Sequence, residues 1–208
     1  MIAAFTDRVG LDRYALYMFD WGAPVGFRLA ESRGEAIEAL IIQNGNAYKE
    51  GLSDRMLGLK AYWENREAVE PRIRAILQPE ALIAQYQEGA RCPEAIAPDA
   101  ATLDRHCLEQ PGRQAAILDL FYDYQHNVEH YDTWHAWLRD AQPRTLILWG
   151  EKDPFFTVAG ARAYLGDVPD AELHLLDTGH FALQEDEATV AQHIKRFLGE
   201  RRATPVGV

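Results

Sequence analysis

Serine is nearly absent from this chain: Ser32 and Ser53 are the only two among 208 residues. Neither lies in a Gly-x-Ser-x-Gly turn, so a serine-type esterase, whose nucleophile sits on such a turn, is rejected. Cysteine is equally scarce. Cys92 and Cys107 lack metal-ligand spacing and read as reduced thiols, the usage of a cytoplasmic protein. Basic residues are outnumbered, 21 Lys+Arg against 32 Asp+Glu, for a net charge of -11. That charge argues against nucleic acid or an anionic membrane as the main partner. No apolar run is long enough for a membrane span, and no basic segment precedes an apolar one as in a signal peptide. Internal repeats and low-complexity tracts are also missing. What is present is 48% hydrophobic residues, enough for one large domain or a core with a small insert.

The hydrophobic spacing predicts a helix over Ile2 to Val9, capped near Gly10, and a short buried strand over Tyr14 to Phe19. A helix from Pro24 to Arg33 runs to a second cap candidate, Gly34. Ala39 to Gln43 is the next strand, closed by Asn44-Gly45-Asn46. Strand, helix, strand is a βαβ unit, which implies a parallel sheet and an α/β fold. From residue 47 to 140 the pattern turns aromatic-rich and helical, broken by Pro79, Pro93, Pro98 and Pro111, and reads as a helical cap. The sheet resumes with Arg144 to Gly150, a helix near Val158 to Leu165, the strand Glu172 to Leu176 and a helix over Glu187 to Leu198. Residues 1–46 and 141–208 thus form the core, with 201–208 as a loose tail.

Three strand ends carry chemistry. Asp20 follows the first strand in Phe19-Asp20-Trp21-Gly22-Ala23-Pro24-Val25-Gly26. A sharp strand-to-helix turn presents a side chain at the carboxyl end of the sheet, with Gly22 and Gly26 allowing close helix approach. The Trp21 N–H can point at a developing oxyanion. The plainer role for Asp20 is an N-cap of the following helix. Asp153, in Trp149-Gly150-Glu151-Lys152-Asp153-Pro154, can orient a histidine or simply form a turn; Glu151 is a weaker candidate. His180, in Asp177-Thr178-Gly179-His180-Phe181, can act as a general base or be a solvated loop histidine.

Nucleophile, acid and base, each after a separate strand, follow the chain order of the α/β-hydrolase fold. The chain resembles the members of that superfamily whose nucleophile is aspartate, the epoxide hydrolase and haloalkane dehalogenase group. The three motifs just quoted carry the resemblance. It implies that Asp20 attacks a saturated carbon to form an alkyl-enzyme ester. His180, oriented by Asp153, then activates water, with Trp21 in the oxyanion hole. The resemblance implies a small apolar organic substrate and no cofactor or metal. An epoxide needs a proton donor, and Tyr124-Gln125-His126-Asn127 is similar to the family's Tyr-Arg-x-Asn context, apart from Gln125. Tyr62 is a possible second donor by position. A halide needs N–H donors instead, from Trp21 and one of Trp63, Trp134 or Trp137. His106, His126, His130 and His135 crowd the cap without a metal-binding motif.

Family sheets carry several strands ahead of the elbow, and this chain has one helix there. Met1 reads as an internal or misplaced start, or the chain as a genuinely short form. The expectation is an apolar strand left at the sheet edge, self-association such as a homodimer, and low activity. A loop supplying a second oxyanion N–H is lacking as well. Three readings stay open: an epoxide hydrolase-like enzyme, a haloalkane dehalogenase-like one, and a non-catalytic relative.

Overall fold

In the computed structural model of the chain, residues 1–200 are described; the expected tail at 201–208 lies outside them. Four strands form one parallel sheet in the order β1 (Tyr14–Phe19), β2 (Ile37–Gln43), β3 (Arg144–Gly150), β4 (Glu172–Leu176). Because side chains alternate along a strand, β2 feeds two cores. Leu40 and Ile42 face one side, where Phe27 of α2 (Gly22–Arg33), Tyr164 of α9 (Val158–Asp167) and Trp149 are buried. Ala39 and Ile41 face the other, covered by Val190 and Phe197 of α10 (Ala182–Gly199). A short helix, α1 (Ile2–Arg8), precedes β1, and Gly10 takes a left-handed φ of 69° just beyond its end.

β1 pairs only with β2 among the described residues, so it lies at the sheet edge with Tyr17 partly exposed. The expected apolar edge is therefore seen. Gly34 is not a left-handed cap. It stays right-handed and opens a 3-10 turn against the Trp137 indole.

Only helices lie between β2 and β3 among the described residues: α3 (Asp54–Leu57), α4 (Leu59–Glu64), α5 (Arg66–Ala75), α6 (Pro79–Gln87), α7 (Asp99–Leu108) and the long α8 (Arg113–Ala141). The prolines punctuate them. Pro79 opens α6 and Pro98 caps α7, while Pro71 sits within α5. The first half of α8 packs on α4, where Tyr62 and Trp63 donate to the Leu118 and Phe121 carbonyls. The second half returns to the sheet, where Trp134 stacks on Phe27 with ring centroids 5.2 Å apart. None of the helices is long and apolar enough to cross a membrane among the described residues.

Gly26 lets α2 lie on β1: a Cβ there would run into the Met18 side chain and crowd Leu16. Gly22 faces open space and has no such role. Gly26→Val is expected to cost about 1–3 kcal/mol by overpacking, read as a lower urea midpoint at unchanged slope. Gly22→Ala should leave the midpoint nearly unmoved.

Candidate active site

The site is assembled at the carboxyl ends of three strands. Asp20 follows β1 with φ 46°, a left-handed conformation that a non-glycine residue adopts at a cost and that aspartate tolerates better than most. The turn is closed by the Ala23 N–H donating to the Asp20 carbonyl at 3.0 Å. The Asp20 side chain does not cap α2: the N-cap position belongs to Trp21, without a side-chain cap bond. Instead the carboxylate lies beside the Trp21 N–H and faces a cavity, with 35% of its side chain accessible. Burial raises its pKa, against the opposing pull of His180 and the Trp21 N–H.

His180 lies between two carboxylates. Its Nδ1 is 2.8 Å from Asp153 Oδ2, and its Nε2 is 3.6 Å from Asp20 Oδ1. With Nδ1–H donated to Asp153, the neutral ring presents Nε2 as an acceptor toward Asp20. Burial opposes protonation of His180, yet the Asp153 charge, the Asp153 hydrogen bond and the Asp20 charge together carry its pKa above the ordinary histidine value. Phe19, Phe155, Phe156 and Phe181 surround the ring at centroid distances of 4.9, 5.1, 5.9 and 4.9 Å and leave the residue 2% exposed. His180 lines the cavity.

Asp153 makes a turn and contacts His180 at once. Its Oδ1 accepts the Phe155 and Phe156 N–H groups at 2.7 and 3.1 Å, an Asx turn. Its Oδ2 holds His180 and also accepts from Asn44 Nδ2 at 2.7 Å. Glu151 is exposed and takes no part. Asn44 was not foreseen as a site residue. It ends β2 with φ 42°, the same left-handed geometry as Asp20, and its Oδ1 accepts the Gly150 N–H at 3.1 Å. Its signal was an amide residue before glycine at the end of a buried strand, which reads equally well as a turn. Asn44→Ala leaves the Gly150 N–H unpaired and Asp153 one donor short. The expected loss is about 1–3 kcal/mol of stability, read by urea unfolding.

Gly179 is explained by crowding. A Cβ on it would strike the Glu88 carbonyl, and one on Gly150 would strike the Gly179 carbonyl. The histidine loop thus runs between the end of β3 and a turn of the cap.

The cavity between sheet and cap has a volume of about 700 Å³. Asp20, Trp21, His180 and Phe181 form its floor, and Met56, Leu77, Leu82, Ile117 and Phe121 its apolar walls. Tyr124 stands behind Trp21, ring centroids 6.5 Å apart, and is not a wall residue. It is buried, its hydroxyl is 3.4 Å from that of Tyr131, and the Asp20 charge adds to the burial that raises its pKa. Tyr62 is not brought to the site: it is buried within the cap, its hydroxyl donating to the Leu118 carbonyl at 3.3 Å. Its place in α4 turns it toward α8 rather than the sheet.

The further tryptophans named as halide donors are also engaged elsewhere. Trp63 Nε1 donates to the Phe121 carbonyl at 2.9 Å, Trp134 Nε1 to Glu31 at 2.6 Å, and the Trp137 indole lies against Gly34. Of the cap histidines, His106 reaches the cavity, whereas His130 contacts Glu31 and His135 the Ala47 carbonyl. No metal-holding cluster is found among the described residues.

Residues 1–187 of the chain match the family of the alpha/beta hydrolase fold. The chain belongs to the α/β-hydrolase family. It is 38% identical over 204 residues to an uncharacterised hydrolase of Saccharomyces cerevisiae, covering 96% of this chain and 70% of that one. Epoxide hydrolase 2 of Caenorhabditis elegans is 24% identical over 217 residues, covering 99% of this chain and 60% of that one. Among solved structures, the epoxide hydrolase CorEH superposes with a TM-score of 0.75 at 15% identity, over 95% of this chain and 72% of that one. Family and relatives together make this α/β-hydrolase chain a hydrolase.

Proposed function

We propose that this α/β-hydrolase opens small apolar epoxides through a covalent ester on Asp20. The Asp20 carboxylate attacks a ring carbon, the C–O bond breaks, and the leaving oxygen takes a proton from solvent in the cavity, since the expected donor Tyr124 does not line it. His180 Nε2 then takes a proton from water, whose oxygen adds to the Asp20 carbonyl carbon. The Trp21 N–H, already at the carboxylate, stabilises the resulting oxyanion, and the diol leaves. The observation that carries this reading is the left-handed Asp20, its carboxylate open to an apolar cavity and 3.6 Å from His180.

The choice of epoxide over haloalkane rests on the tryptophans. Trp21 alone among those named lines the cavity, so a halide finds no second indole donor among the described residues. The test is product analysis. Styrene oxide should give phenylethanediol, and 1-bromobutane should release no bromide. Bromide without diol would move the assignment to dehalogenation. Neither product from folded protein would favour a non-catalytic relative.

The ester removes the Asp20 charge, one of the groups that raise the His180 pKa. The acid limb of kcat, which reports the ester intermediate, should therefore fall at lower pH than the His180 titration of the free protein. His180 itself should titrate above about 6.5 by NMR. Coincident midpoints would contradict a charged Asp20 that becomes neutral in the intermediate.

A further inference from the structure

The cavity over Asp20 has two chemically different ends, joined by one face of α8. Arg113, Ile117 and Phe121 all line it, at a spacing of four residues that stacks them on a single helix face. Phe121 closes the stripe at the floor, where its ring meets that of Trp21 edge-on with centroids 4.9 Å apart. Eight residues of helix rise about 12 Å, so Arg113 springs from the backbone about that far from the floor. Helical side chains tilt toward the N-terminus, which carries its guanidinium farther out. Arg113 is exposed and stands at the outer end of the cavity. Ile117 lies between the two ends.

Arg113 is the only lysine or arginine that lines this cavity among the described residues, and no hydrogen bond or ion pair there engages its guanidinium. Elsewhere in this acidic chain arginines are used up: Arg55, Arg66, Arg91, Arg139 and Arg196 each pair with a carboxylate. Asp104 also lines the cavity, but its carboxylate accepts the Tyr86 hydroxyl at 2.7 Å and makes no ion pair with Arg113.

Resting on the epoxide reading, we propose that Arg113 is a specificity-determining residue, which binds a carboxylate at the far end of an unbranched epoxide while Asp20 attacks the ring at the near end. The guanidinium offers a fork of N–H donors that a carboxylate accepts in pairs, and it stays charged at any working pH. The methylenes of such a substrate lie along Ile117 and Phe121, which supply the apolar contact between the two ends. A compact epoxide such as styrene oxide reaches Asp20 without reaching Arg113, so the charge selects among longer substrates.

The test compares the terminal epoxide of undecenoic acid with its methyl ester, which has the same chain and no charge. The parent should favour the acid by about 10-fold in kcat/KM, carried by KM because the contact is made equally in ground and transition states. Arg113→Gln should bring the acid down to the level of the ester, and Arg113→Lys should keep part of the preference. High salt should shrink the preference in the parent, since the pair is exposed. Binding is read separately in Asp20→Asn, which forms no ester. There undecanoate should bind about 10-fold tighter than undecanamide by calorimetry, and adding Arg113→Gln should make the two equal. An acid preference that survives Arg113→Gln, an equal fall of acid and ester, or equal binding of undecanoate and undecanamide overturns the proposal. If neither epoxide turns over but undecanoate still binds tighter through Arg113, the epoxide reading fails and the carboxylate site stands.

Discussion

Asp20→Asn is expected to lower turnover by at least about 10⁴-fold while leaving the fold intact. The carboxamide has no charge to attack carbon and forms no ester that His180 could resolve. The substitution is chosen on backbone grounds. Residue 20 sits at φ 46°, and asparagine tolerates the left-handed region as aspartate does. Stability should respond with a definite sign. The folded pKa of Asp20 is raised by burial, so its ionisation costs stability as pH climbs from the unfolded value through the folded one. Asp20→Asn removes that cost. Its melting temperature should match or exceed the parent's at pH 7, with the difference shrinking toward pH 3. A variant with parental turnover would exclude Asp20 as the nucleophile.

Asp153→Asn is expected to act on a different step, with a loss of about 10⁴-fold in kcat. The fully buried Asp153 side chain receives His180, Asn44 and two backbone N–H groups. An amide there must turn its NH₂ toward at least one of these donors, and a ring forced to the other tautomer no longer presents Nε2 as a base. Burial would then govern the His180 pKa with less opposition, so its titration should move to lower pH. The linked stability has a sign as well. The raised His180 pKa contributes stability that is present below about 6.5 and lost as pH rises through the folded pKa. In Asp153→Asn that contribution should shrink, seen as a weaker pH dependence of melting between pH 5 and 8. Parental kcat with an unmoved His180 titration would show that Asp153 does not orient the base.

Much of the fold could be read from periodicity because the strands of this parallel sheet are short, largely apolar runs. Tyr14–Phe19, Arg144–Gly150 and Glu172–Leu176 fall where the sequence places them. β2 begins at Ile37 rather than Ala39, since the exposed Glu38 breaks the apolar run without breaking the ladder. α10 starts at Ala182, five residues before the expected Glu187, across a kink at Asp186 where backbone geometry leaves the helical region. Arg91 of the cap pairs with Asp186 at 2.7 Å, a tertiary contact that no local pattern announces.

Asp20, Asp153 and His180 were legible because strand ends in a parallel sheet share one edge, so three separate segments had to converge. Asn44 was hidden for the complementary reason: its side chain serves another residue's geometry rather than substrate. The Tyr62 expectation failed because position in a cap does not set the direction of a helical side chain.

The most direct measurement is intact mass of the His180→Gln protein after incubation with styrene oxide, beside an Asp20→Asn/His180→Gln control. The account predicts a stable gain of one epoxide mass, mapped by peptide sequencing to Asp20 and missing from the control. An equal adduct in the control, or a folded His180→Gln protein that gains no mass, would contradict a covalent ester on Asp20.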